Sequence, residues 1–223
     1  MKVQRIARLA TVGLVASVLV TGADGAAASA RHTPEPVAPA TVVRGFTGGE
    51  LIGAGFKAGY SSATEIPCLR LGRHDDILVM GFNGATTSCT VKPGTPVLVV
   101  TGGACSDVEA PPFYGKDAAA QLACVQDLND NFLLSISVSV DGGPTVDLLD
   151  ERYEFASSQQ TFLEPEGNVD GLPAGTPGTL VAAGYVGVVR ALTPGRHTIV
   201  SIVDTALGET IISTMIVNVV PGH

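Results

Sequence analysis

Leu134-Ser135-Ile136-Ser137-Val138-Ser139-Val140 is the stretch on which the fold turns. Apolar residues hold every second position and serines fill the gaps. A period of two is the signature of a β-strand with one face on a core and one face in water. The expectation is that Leu134, Ile136, Val138 and Val140 point inward and that Ser135, Ser137 and Ser139 point outward. A strand with one wet face belongs to an antiparallel sheet, since parallel sheets are covered on both sides. Asp141-Gly142-Gly143-Pro144 ends it with turn residues.

The same grammar extends in both directions. Ile77-Leu78-Val79-Met80 is closed by Asn83-Gly84, and residues 96–101 lie between Pro93-Gly94 and Gly102-Gly103. Downstream, Tyr153 and Phe155 open a mixed stretch that reaches Phe162. Residues 167–178 read as a Gly/Pro-rich loop and 179–189 as a small apolar strand. Thr193-Pro194-Gly195 turns the chain into 197–203, and Gly208 turns it into 210–220. One segment has helical spacing: residues 116–129 carry Ala118, Leu122, Val125 and Leu128 behind Asp117. The expected fold is all-β, a β-sandwich or jelly roll of about eight to ten short strands with one short helix near 116–129. Residues 42–223 form its single domain.

The N-terminus reads differently. Lys2, Arg5 and Arg8 precede an apolar run from residue 9 to 20, and Ala28-Ser29-Ala30 follows as a small-residue cleavage site. That is the build of a signal peptide over residues 1–30, with an apolar run too short to anchor the chain in a membrane. Residues 31–41 hold three prolines and read as an extended, mobile leader. The whole chain of 223 residues has a formal net charge of −8. Removing residues 1–30 leaves 10 Lys and Arg against 20 Asp and Glu, a net charge of −10. No basic cluster survives to hold nucleic acid or an anionic membrane. The expected location is outside the cell.

Four cysteines remain after cleavage: Cys68, Cys89, Cys105 and Cys124. Their spacings of 21, 16 and 19 are too open for a zinc site, and no C-x-x-C occurs. In an oxidising compartment an even number reads as a disulfide framework, with three possible pairings. The nested pairing would draw the helix over the strand before Cys89. The crossed pairing would require both bridges to span the strand at 96–101, ~20 Å of extended chain, whereas a bridge needs Cα atoms within about 7 Å. Cys68–Cys89 and Cys105–Cys124 each close a short loop, and these are the expected bridges.

Cys89-Thr90-Val91-Lys92-Pro93-Gly94, an apolar strand, and then Ala104-Cys105-Ser106 resemble a group of uncharacterised secreted bacterial proteins, of actinobacterial type, with a C-T-V-x-P-G and C-S pattern. Val140-Asp141-Gly142, residues 153–162, Gly167-Asn168-Val169-Asp170-Gly171 and the run from Leu192 to Ile199 fit it too. The resemblance spans about residues 66–204. It departs before Cys89, where the group has a tryptophan and this chain has none. It implies a secreted β-rich domain and no particular activity.

No residues are assigned a catalytic, cofactor-binding or metal-binding role. Gly59-Tyr60-Ser61-Ser62-Ala63 approximates a nucleophile elbow but lacks the last glycine and a helix after the serine. His74-Asp75-Asp76 reads as a polar turn, and His197 as a strand entrance. Asp127-Leu128-Asn129-Asp130-Asn131 alternates oxygen donors, yet Phe132 and Val138 stand where a calcium loop needs Gly and Glu. Glu154, Glu164 and Glu166 raise a carbohydrate-active hydrolase, whose carboxylates sit about 5–5.5 Å or 6.5–9.5 Å apart. The lack of Trp argues against stacked sugars. The leading reading is a secreted, disulfide-stabilised, non-catalytic β-sandwich that binds an extracellular ligand or surface. A hydrolase using paired carboxylates and a small-ligand carrier are the alternatives.

Overall fold

Strand-length apolar runs must find their backbone hydrogen bonds in one another, because a buried N–H or C=O left unpaired is costly. The computed structural model describes residues 36–37, 42–81, 83–168, 171–189 and 192–220. The elements are β1 (Pro36–Val37), α1 (Gly48–Tyr60), β2 (Arg70–Leu71), β3 (Ile77–Met80), β4 (Thr86–Val91), β5 (Val97–Ser106), α2 (Ala118–Phe132), β6 (Leu133–Val140), β7 (Val146–Asp147), β8 (Glu154–Ala156), β9 (Gln160–Leu163), β10 (Pro177–Val189), β11 (Gly195–Thr205) and β12 (Thr210–Val219). The expected signal peptide lies outside the described residues, as does the leader apart from β1.

The strands form two sheets, and the fold is an all-β sandwich. One sheet runs β1-β10-β5-β3-β2, with β8 and β9 also paired to β10; the other runs β4-β12-β11-β6-β7. β5 and β10 are antiparallel through ten consecutive pairs, from Val97 opposite Val189 to Ser106 opposite Leu180. On its other edge β10 takes β9, β8 and β1 in succession. At Gly102 opposite Gly184 the two backbones close on each other. A Cβ on either glycine would fall 2.3 Å from a carbonyl oxygen of the facing strand, so no other residue fits this crossing without a backbone shift.

The seven-stranded sheet is covered on both faces, which is why β5 is almost continuously buried. On one side Leu78, Met80, Val97, Val99 and Val189 meet Ile136, Val138, Ile199, Val203, Met215 and Val217 of the five-stranded sheet. Farther along the same face, Cys105, Val181 and Ala183 pack against Val125 of α2. On the opposite side Leu98, Val100, Leu180, Ala182, Val186 and Val188 pack under Leu51 and Ile52 of α1.

The helix α1 departs from the expectation of a single helix. Five glycines in thirteen residues hide its pattern, and each costs about 1 kcal/mol relative to Ala in a helix interior. Its start is fixed by a capping box: Thr47 Oγ1 accepts from Glu50 N–H, and the Glu50 carboxylate accepts from Thr47 N–H at 2.7 Å. Three of the glycines are required by packing. A Cβ at Gly48 would strike the Phe155 ring, at Gly49 the Ala156 carbonyl and at Gly53 the Ser157 side chain. They let the helix lie directly on β8 and the break after it. There Ser157 continues the ladder, its N–H donating to Ala182 O at 2.8 Å and its Oγ accepting from Ala182 N–H at 3.0 Å.

The other helix, α2, starts behind Asp117, whose carboxylate accepts from Ala120 N–H at 2.9 Å. Three side chains tie it to the β5–β10 pair. Cys124 is bonded to Cys105, with Cα atoms 6.1 Å apart. The amide of fully buried Gln121 donates to Gly115 O and to Thr179, and Asn129 donates to Ala183 O at 2.9 Å. The second bridge, Cys68–Cys89, has Cα atoms 5.8 Å apart and joins the chain just before β2 to β4, across the open side of the sandwich. Arg70 crosses the same gap to bond Thr90 O at 2.6 Å. Among the described residues no helix is long and apolar enough to cross a membrane.

β6 keeps the expected alternation with one correction. Ile136, Val138 and Val140 are buried, but Leu134 is 59% exposed and Leu133 takes the inward place. The register against β11 shifts between Asp204 and Thr205, so that Thr205 pairs with Leu133. A bulge of this kind re-aims one side chain and leaves the rest of the strand in phase. Ile136→Ala should therefore destabilise by about 2–5 kcal/mol. Leu134→Ala should stay within roughly 0.5 kcal/mol of wild type. Urea unfolding of the two variants checks the assignment, and equal losses would contradict it.

Candidate functional site: the outer face of the five-stranded sheet

The residues singled out in the sequence do not assemble into one site. Ser61 caps the C-terminus of α1, its N–H bonded to Lys57 O at 2.9 Å, so the elbow-like stretch ends a helix instead of starting one. His74 is exposed in the turn before β3, where Asp76 pairs with Arg44 at 3.2 Å. Asp127 and Asn131 bond each other within α2, and Asn129 between them is turned to the sheet. Glu154 and Glu166 are exposed, whereas Glu164 is 4% exposed. Glu154 stands opposite Tyr185 of β10, and Glu164 N–H bonds Thr176 O at the other end of that strand. Nine residues of strand separate those levels, about 30 Å, which is beyond the reach of any acid–base pair.

Two polar pairings, Tyr60 with Glu109 and Asp141 with His197, escaped the sequence reading. Tyr60 donates its hydroxyl to Glu109 at 2.7 Å and packs edge-on against Phe162, with ring centroids 5.1 Å apart. Glu164 follows Phe162 by two residues, just past the end of β9, and is equally buried. Both glutamates are buried, which no spacing along the chain announces.

The other pairing links the start of β11 to the turn after β6. Asp141 sits at φ +52°, a left-handed conformation that Asp tolerates. One carboxylate oxygen accepts from Thr198 N–H at 2.8 Å, and the other faces His197 Nδ1 at 2.7 Å. His197 Nε2 lies 2.8 Å from Thr193 O. The ring is thus held at both of its nitrogens, by a carboxylate on one side and a backbone carbonyl on the other. The histidine expected at a strand entrance is there, and it locks that entrance to the neighbouring turn.

The largest organised feature is the outward face of the five-stranded sheet. Both helices sit against the other sheet. Strand register places Ser137, Ile202 and Ile212 in one row, Ser139, Val200, Thr214 and Thr86 in the next, and Thr198, Ile216 and Ser88 in a third. Arg196, Asn218 and Thr90 close one end, and Ser135, Asp204 and Thr210 close the other. Ile212 is 53% exposed. Charge enters the middle strand, β11, only at its ends. Asp204 accepts from Thr210 at 2.6 Å and from Ser135 at 2.7 Å, and these hydroxyls hold its carboxyl below the usual carboxylate range.

A double-mutant cycle with His197→Ala and Asp141→Ala should return a coupling of at least about 1 kcal/mol, because each partner removes the same charge-assisted bond. Additive losses in urea unfolding would show that the latch carries no stability.

No family model matches the chain, and no curated protein matches it. Among solved structures, the solution structure of amebosin aligns with 64% of this chain and 96% of its own, at 13% identity and a TM-score of 0.24, a likeness that carries no argument about fold or function.

Proposed function

We propose that the chain is an exported, non-catalytic β-sandwich that acts by surface contact, with the outer face of the five-stranded sheet as its working surface. The observation that carries this reading is the contrast between that face and the rest of the molecule. The chain has a net charge of −8, yet on β6, β11, β12 and β4 three successive rows of the face hold only Ser, Thr, Val and Ile, with Asp147 of the short edge strand β7 the one charge at their margin. Charge-depleted, half-apolar surface is the composition of an interface core. Two disulfides fit an oxidising compartment. The resemblance of residues 66–204 to secreted bacterial β-rich proteins points the same way, and so does the signal-like N-terminus. The separation of Glu154 from Glu164 weighs against the hydrolase.

Expression with the native N-terminus in a secreting bacterial host tests the reading. The oxidised species in the supernatant should begin near residue 31 by intact mass, and it should turn over neither chromogenic glycosides nor esters. A secreted species that retains residues 2–20 would contradict the export assignment. Turnover abolished by Glu164→Gln would contradict the non-catalytic one.

A further inference from the structure

We infer that the outer face of the five-stranded sheet is the interface of a twofold homodimer, in which β11 of one subunit lies antiparallel over β11 of the other and Arg196 meets Asp204 of the partner subunit. The inference rests on the surface reading above and names its occupant.

The edges of this sheet offer no alternative. β4 has its outer side occupied by the Cys68–Cys89 bridge and by the Arg70 bond to Thr90 O. The opposite edge strand, β7, is two residues long, too short to template another strand. What remains open is the face.

The charges on that face are arranged for self-recognition. β11 is the middle strand of the five. Arg196 and Asp204 lie on its outward side, and Val200 is midway between them. Eight residues of antiparallel strand put them about 27 Å apart. A twofold axis through Val200, in the plane between two facing sheets, exchanges the two ends and superposes cation on anion twice. An isologous contact needs this self-complementarity. Asp204 is held in place by Ser135 and Thr210, and Arg196 is exposed and makes no ion pair among the described residues. Asp147, on β7, stays at the rim.

The centre of the face suits a second copy better than other partners. Val200, Ile202, Ile212 and Ile216 supply apolar area, and the hydroxyls between them can bond across the contact. No aromatic side chain is present on the face to stack a sugar, and no cluster of cations to hold a polyanion. Four strands at about 4.8 Å spacing and about 27 Å of length give roughly 500 Å² per subunit, about 1,000 Å² in all, at the lower limit of specific interfaces. The dimer is therefore reversible and not obligate.

Sedimentation velocity of the purified, oxidised chain over a range of concentrations tests it. The wild type should pass from monomer to dimer. Arg196→Asp and Asp204→Arg should each weaken association by about tenfold or more, and the double variant should recover it. Asp204→Asn, which keeps an acceptor for Ser135 and Thr210, should weaken it with the fold intact by circular dichroism. Ile212→Lys should abolish the dimer, whereas Leu163→Lys, at an exposed position on the other sheet, should not. A monomer at every concentration, a dimer indifferent to Ile212→Lys, or a double variant no tighter than the single ones would overturn the inference. An exported, inert monomer would do so while leaving the surface reading without this occupant but otherwise standing.

Discussion

The ten-residue pairing of β5 with β10 is the constraint on which the rest of the molecule depends. Both strands are covered on both faces, so every layer is built against them: α1 on one side, and the five-stranded sheet and α2 on the other. The register of this pair decides which residues face which layer. Even-numbered Leu98, Val100, Ala182 and Val186 serve α1, and odd-numbered Val97, Val99, Cys105 and Val181 serve the opposite side. A slip of one residue would exchange the two sets. It would also separate Gly102 from Gly184, whose close approach leaves no room for a Cβ on either strand.

The helices and disulfides follow from that pair. α2 exposes most of its surface and would be marginal alone, since a short helix in water draws its stability from packing. It is held by Val125, by the Cys105–Cys124 bridge and by the amides of Gln121 and Asn129, which engage Thr179 and Ala183 on β10. The loop closed by each bridge is about 20 residues long, worth ~3 kcal/mol in the chain-entropy model. α1 carries five glycines and accepts their helical cost, because three of them admit the helix to the surface formed by β8 and Ser157.

Period and turn chemistry made much of this legible. The serines of β6 announced a strand with a wet face, and Asp117 with the spacing behind it announced α2. Thr47-x-x-Glu50 was the available sign of α1, masked by glycines that a local reading assigns to turns. Leu134 fell outside the alternation because it is the extra residue of a bulge in β6, skipped where the consecutive Asp204 and Thr205 of β11 pair with Ser135 and Leu133, and that pairing is not visible along β6 alone. The candidate surface was hidden for the same reason. Its rows join residues such as Ser139, Val200, Thr214 and Thr86, which only strand register brings together. The buried glutamates and the Asp141–His197 contact likewise depend on tertiary placement. The proposed working surface is therefore a property of assembled strands, which no short stretch of sequence announces.

The dependence of both layers on one strand pair has a direct physical consequence. If β5 and β10 organise the fold, their amides open only when the whole domain unfolds, while α1, α2 and the outer strands open locally at lower free energy. Native-state hydrogen exchange on the oxidised chain measures this residue by residue. The slowest amides should lie in the paired centre of β5 and β10, around Val99 and Val186, and should report the global unfolding free energy. Slowest exchange in β11 and β12, with β5 and β10 opening early, would contradict the central role of that pair.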